Sequence, residues 1–101
     1  MKINKIFKFI GDNNLKYKNY KTIGEINENN KRHGYWYEYH SNGLLYSLGE
    51  YDNGLKEGEW EYYYDNGKIM EKGTYKNNKR KGIWNEYWSN GRTLTTYNYD
   101  K

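Results

Sequence analysis

The sequence predicts an all-β protein, a single-layer, elongated, antiparallel β-meander of hairpin repeats. Three observations carry that expectation. Gly-x-Trp recurs as Gly34-Tyr35-Trp36, Gly58-Glu59-Trp60 and Gly82-Ile83-Trp84, each copy 24 residues after the last. The same step relates Asn42-Gly43 to Asn66-Gly67 and Asn90-Gly91, and Tyr51 to Tyr75 and Tyr99. No proline occurs anywhere, which suits an unbroken hydrogen-bonded ladder. A period of this length marks a repeat architecture in which no unit alone can bury its apolar face.

Each unit opens with an aromatic run, such as Trp60-Glu61-Tyr62-Tyr63-Tyr64. A turn follows at His40-Ser41-Asn42-Gly43, Tyr64-Asp65-Asn66-Gly67 and Trp88-Ser89-Asn90-Gly91. Asn-Gly between aromatic or β-branched runs is a strong hairpin signal, because both residues tolerate the positive φ of a tight turn. Second strands are expected over 44–51, 68–75 and 92–99, with polar turns after them at 52–57 and 76–81. Such short connections favour antiparallel pairing in sequence order.

Upstream, Gly24-Glu25-Ile26 echoes Gly49-Glu50-Tyr51, and 15–20 reads as a degenerate first arm. Residues 1–23 form an expected N-terminal cap segment, and 24–101 the repeat domain. Ile3, Ile6, Phe7 and Ile10 fit a short amphipathic helix, while Ile3, Phe7 and Phe9 fit a strand. Glycine inside a strand is costly. Gly34, Gly58 and Gly82 are therefore expected to give room for a ring from the neighbouring unit. Trp36, Trp60 and Trp84 would form one ladder of rings, and Tyr39, Tyr63 and Tyr87 a second.

Composition supports a folded but thin molecule. Leu, Ile, Val and Phe contribute only 15 of 101 residues, a range where disorder is the default. Fourteen Tyr and four Trp override that default, because each buried ring removes about 150–250 Å² from water. No Cys is present, which excludes disulfides and thiolate chemistry. No apolar run approaches the ~20 residues of a membrane span, and the Lys-interrupted N-terminus does not read as a secretory signal. A cytoplasmic location is expected. The wealth of Asn, Lys, Tyr and Ile suggests an AT-rich genome. The net charge of +4 divides into +5 over 1–33, −6 over 34–71 and +5 over 72–101. In an elongated stack, sequence order becomes a basic–acidic–basic stripe in space.

The pattern Gly-x-Trp-x-x-Tyr-x-x-Asn-Gly, with Gly-x-Tyr six residues on, resembles the MORN repeat in its bacterial 24-residue variant, over about 24–99. The resemblance implies a single-layer antiparallel sheet without catalysis of its own. Bacterial members include antitoxin- and immunity-like proteins; eukaryotic members include scaffolds and modules proposed to contact lipid.

No catalytic, cofactor or metal site is expected. His33 and His40 sit at turns with no Cys or clustered carboxylate at ligand spacing, so their simplest reading is solvated turn residues. Ser41, Ser47 and Ser89 read as turn or strand residues rather than nucleophiles. Glu59 and Glu61 share a strand face, but a single sheet rarely offers the pocket that acid–base chemistry needs. Tyr35 and Tyr37 lie on the face opposite Trp36, at positions occupied in other units by Glu59, Glu61, Ile83 and Asn85. Positions that vary between units are free for a partner. Tyr35, Tyr37, Glu57, Glu59 and Glu61 are thus the candidate partner-binding residues.

The function expected is a non-enzymatic, protein-binding module that sequesters or inhibits a protein with a basic surface, such as a nuclease. An immunity, antitoxin or phage counter-defence inhibitor fits that description. The alternatives are a scaffold that self-associates through edge strands, or contact of the basic ends with nucleic acid or anionic lipid. The acidic middle weighs against a continuous nucleic-acid groove, and one short N-terminal segment against a membrane role. The edge strand over 92–99, rich in Thr and Tyr with only one charge, leads to the expectation of a weak homodimer.

Overall fold

The computed structural model describes residues 22–101. The arm at 15–20 and nearly all of the cap at 1–23 lie outside the described residues. Seven strands follow one another: β1 (Thr22–Ile26), β2 (Arg32–Tyr39), β3 (Leu45–Asp52), β4 (Leu55–Tyr63), β5 (Ile69–Lys76), β6 (Lys79–Tyr87) and β7 (Thr93–Asn98). They form one antiparallel sheet in sequence order, the meander the repeat predicts. The principal extents are 40 × 30 × 11 Å. The smallest leaves no room for a second sheet, which would stack about 10 Å away.

The turns differ in kind at the two rims. At one rim the Asn-Gly turns place only glycine in the left-handed region, at φ 91° for Gly43 and Gly67 and 95° for Gly91. The asparagine instead accepts the N–H two residues on, at 2.9 Å for Asn42, Asn66 and Asn90 alike. The expectation that both residues adopt positive φ there is corrected by this Asx geometry. Positive φ at both central residues occurs at the other rim, in Asn53-Gly54 (51° and 91°) and Asn77-Asn78 (51° and 71°). Those turns join the opposed pairs Asp52↔Leu55 and Lys76↔Lys79 and form two-residue hairpins.

The core lies on one face of the sheet. Trp60 and Trp84 are 2% and 1% exposed although no second layer of the described residues covers them. Each ring lies across a glycine of the preceding odd-numbered strand: Trp36 on Gly24, Trp60 on Gly49, Trp84 on Gly73. A Cβ at those glycines would stand 2.0–2.2 Å from the indole Cδ2. The pairing register slips at the same place, between Ile23 and Glu25, Leu48 and Glu50, and Lys72 and Thr74. Such a bulge diverts a backbone carbonyl from the ladder. The indole N–H takes it up, donating to Glu25 O (2.9 Å), Glu50 O (3.1 Å) and Thr74 O (3.0 Å).

Gly34, Gly58 and Gly82 therefore do not supply the room. A Cβ there would meet nothing within 4 Å, except that Gly82 lies 3.9 Å from Asp100. Their φ values of 81°, 70° and 69° are the requirement, at the bulged segment of each even-numbered strand. The tyrosines between the indoles are Tyr51, Tyr75 and Tyr99. Tyr51 lies edge-on to Trp36 and Trp60 (6.2 and 5.1 Å), Tyr75 to Trp60 and Trp84 (5.7 and 5.1 Å), and Tyr99 to Trp84 (6.3 Å). Tyr39, Tyr63 and Tyr87 are half-buried, and among the described residues no ring contact joins them. Tyr63 bonds Glu61, two residues away on the face opposite Trp60, which keeps it out of the indole column.

The two glycine roles separate by substitution. Gly73→Ala should destabilise by about 3 kcal/mol, because the indole has to leave its seat. Trp60→Ala should cost about 3–5 kcal/mol. Gly58→Ala should cost about 1–2 kcal/mol through φ alone, and Gly58→Asn less, since Asn tolerates that region. Thermal melts with tryptophan emission check this, at about 4–8 °C per kcal/mol. A Gly73→Ala melt equal to that of Gly58→Asn would be incompatible with the seat.

Candidate binding surface

The two faces of the sheet differ in chemistry. On the tryptophan face a cation recurs at the period of the repeat. Arg32 lies 4.2 Å above the Trp36 ring, Lys56 4.8 Å above Trp60, and Arg80 3.9 Å above Trp84. Glycine backbone occupies one side of each indole, so the cation takes the other. Arg32 pairs with Glu38 at 3.1 Å, and Arg80 grips both oxygens of Glu71 at 2.9 Å. Lys56 donates to the Tyr62 hydroxyl (3.0 Å) among three rings, those of Trp60, Tyr62 and Tyr75. Buried Ser47 donates to Glu38 at 3.3 Å. This face is thus occupied by its own side chains. A basic residue four places before each Trp was the available signal, and the sequence reading did not single it out.

The candidate residues stand on the opposite face, along two rows of directly opposed positions. One row runs Ile23–Tyr37–Leu48–Glu61–Lys72–Asn85–Thr96 across all seven strands. The other begins Tyr35–Glu50–Glu57. Glu59 opposes Thr74 on the same face. Tyr35, Tyr37, Glu57, Glu59 and Glu61 therefore share one surface, although β3 separates the tyrosines from the glutamates. Tyr35 is 59% and Tyr37 37% exposed, and Ile23 is exposed beside them. Glu38 and Glu71 of the acidic segment are matched on the tryptophan face; Glu50, Glu57, Glu59 and Glu61 gather on this one.

The glutamates are not equivalent. Glu57 accepts the backbone N–H of Asn77 at 2.6 Å and so holds the next turn. Glu61 accepts the Tyr63 hydroxyl. Glu50 and Glu59 are exposed. The position of Glu57 is filled one unit earlier by His33, whose Nδ1 accepts the N–H of Asn53 at 3.2 Å. His40 is half-buried; its Nε2 meets Tyr63 O at 2.8 Å and its ring packs edge-on to Tyr46. Both histidines tie one unit to the next; half-buried His40 thereby departs from its reading as a solvated turn residue, while His33 stays exposed, on β2. Among the described residues, no cluster of His, Cys, Asp and Glu could hold a metal ion, and no helix is long and apolar enough to cross a membrane.

The model of the MORN repeat variant family matches residues 32–53 and 56–77, the units centred on Trp36 and Trp60. No curated protein and no solved structure matches the chain. MORN repeats are generally protein- or membrane-binding modules and are non-enzymatic.

Two outcomes follow from this surface. Glu57→Lys should lower stability by about 1.5–3 kcal/mol through loss of a charge-assisted bond, while Glu59→Lys should stay within about 0.5 kcal/mol of wild type. Equal denaturant midpoints would remove the structural role assigned to Glu57. The second outcome concerns alkaline pH. Burial, then Glu61, pushes the Tyr63 hydroxyl up to about 12, and burial with the Tyr75 hydrogen bond drives Tyr62 higher still. The folded chain holds these protons more tightly than the unfolded one, whose tyrosines ionise near 10. Their stabilisation is complete below pH 10; the Tyr63 share is lost as the pH rises through about 12, and the Tyr62 share only above that. Melting temperatures should fall over that window, less steeply in Tyr63→Phe, and tyrosinate absorbance should show a late-titrating class.

Proposed function

We propose that the protein is a non-enzymatic module that sequesters or inhibits a partner protein through the face opposite the tryptophans. The observation that carries this reading is the pairing of exposed Tyr35 and Tyr37 with Glu50, Glu57, Glu59 and Glu61 on one surface. Aromatic side chains on a rigid strand supply contact area at little entropic cost, and such residues dominate binding hot spots. The carboxylates beside them suit a basic partner surface, where complementarity raises on-rate and specificity. A nuclease, whose nucleic-acid groove is basic, fits that description. An immunity, antitoxin or phage counter-defence inhibitor acting in the cytoplasm is the concrete form of the proposal.

Contact of nucleic acid or anionic lipid with the basic ends is the weaker reading. Arg32 and Arg80 are held by Glu38 and Glu71, and Lys56 by three rings. A structural scaffold joined through edge strands remains the alternative, and the open side of β7 favours it.

The test uses Glu50→Lys/Glu59→Lys and Tyr35→Ala, which avoid the residues that hold turns. Both variants should melt close to wild type. Each should weaken, by about tenfold or more, a partner captured by the wild type, with the glutamate reversal acting mainly on the on-rate and its salt dependence. Undiminished capture by the reversal variant, or tight binding of the wild type to nucleic acid at physiological salt, would exclude this surface.

A further inference from the structure

The third unit lacks a successor among the described residues, and its rim shows what a successor does in the first two. His40 Nε2 meets Tyr63 O at 2.8 Å, and Asn42 Nδ2 donates to Asp65 O at 2.7 Å. One unit on, the Tyr64 hydroxyl donates to Tyr87 O at 2.7 Å and Asn66 Nδ2 to Ser89 O at 2.9 Å. Trp88 and Asn90 occupy these positions in the third unit. Among the described residues their indole N–H and amide find no such acceptor. They line an open concavity with Ser89, Arg92 and Thr93.

The strand beside them is equally unfinished. Among the described residues β7 pairs only with β6, and Thr93–Asn98 contains no charged side chain. Lysines and prolines on an outer edge are usual means of refusing a further strand, and β7 has neither; its bulge at Leu94 recurs at Tyr46 and Met70 in β3 and β5, which do accept a next strand. The one obstacle is Tyr97, 58% exposed, which stands where Gly49 and Gly73 seat the next indole. A further Trp-bearing unit would collide with this ring. A strand with a small residue opposite Tyr97 would not.

We propose that the β7 edge is the binding site for β7 of a second copy of this chain, antiparallel across a two-fold axis at Thr96. Directly opposed residues of antiparallel strands share a face. Thr96 against Thr96 of the second copy therefore keeps both tryptophan faces on the same side. This register sets Thr95 against Tyr97, the small residue the edge requires. Thr95↔Tyr97 then matches the opposed pair Ser47↔Tyr62 within the chain. By that correspondence, Asn98 and Asp100 of the second copy bring their carbonyls where Tyr63 and Asp65 bring theirs to His40 and Asn42. Trp88 and Asn90 are satisfied twice over by symmetry. The β7 edge is separate from the Tyr35 surface, so either assignment can fail alone.

The chain has no Cys, so a single introduced thiol reports register cleanly. Thr96→Cys should form a disulfide-linked dimer under mild oxidation, because opposed Cα atoms lie about 4.5–5.5 Å apart, within disulfide reach. Thr95→Cys should crosslink at least about tenfold more slowly. Sedimentation velocity from about 10 µM to 1 mM should show the wild type passing from monomer towards dimer, as befits a small interface. Thr96→Lys, which opposes two like charges on the axis, should remain monomeric with a nearly unchanged melt. A wild type that stays monomeric, a dimer indifferent to Thr96→Lys, or crosslinking at 95 as fast as at 96 would each overturn the proposal.

Discussion

Everything in this sheet depends on an indole lying flat against a backbone that has no side chain. A single-layer sheet has no second layer to press its core against. Here the sheet is its own second layer: the ring of an even-numbered strand reaches back over the odd-numbered strand before it and rests on Gly24, Gly49 or Gly73. Dispersion contacts with peptide planes replace the interdigitated aliphatics of an ordinary core. That is how a chain without Val or Ala holds a buried cluster at all.

The bulge, the glycine and the indole N–H form one device. Removing the side chain at Gly49 opens the seat; slipping the register beside it frees the carbonyl of Glu50; the Trp60 N–H closes that carbonyl again. A ring buried without a partner for its N–H would carry a desolvation penalty. The cation above the ring completes the assembly. Arg32 and Arg80 are long enough to lie across an indole and still reach a carboxylate, which Lys56 does not do among the described residues. The units are therefore alike in packing and unlike in charge balance, and surface variation is free to follow the opposite face.

Much of this was legible because the repeat imposes the same demand three times. The recurrence of Trp36, Trp60 and Trp84 with the Asn-Gly turns was sufficient for an antiparallel meander in sequence order. Sequence could not apportion the glycines. Gly58 and Gly73 are identical letters, and only coordinates separate a φ of 70° from a ring at Cβ distance. The turns were misread for a related reason, since Asn42 and Asn53 both precede glycine. Asn42 follows an aromatic strand and caps an Asx turn; Asn53 sits between directly opposed residues and must itself turn left-handed. The candidate surface was legible as a face, from alternation alone. That Glu57 holds the next turn was not, because its partner is a backbone N–H twenty residues away.

At the rim of Asn42, Asn66 and Asn90 the side-chain bonds between units run one way. His40, Asn42, Tyr64 and Asn66 each reach forward to a backbone carbonyl 23 residues later. Substantial contact between strands is confined to consecutive ones, and β1 and β7 lie at opposite edges of the sheet. Tension applied through those two strands therefore loads the ladder bonds a few at a time, in the manner of a zipper, instead of shearing a whole strand at once. Such a sheet yields by peeling from an edge at low force and re-forms from neighbour to neighbour, with little loop-closure entropy to overcome. Mechanically the molecule is a compliant ribbon, soft across its strands.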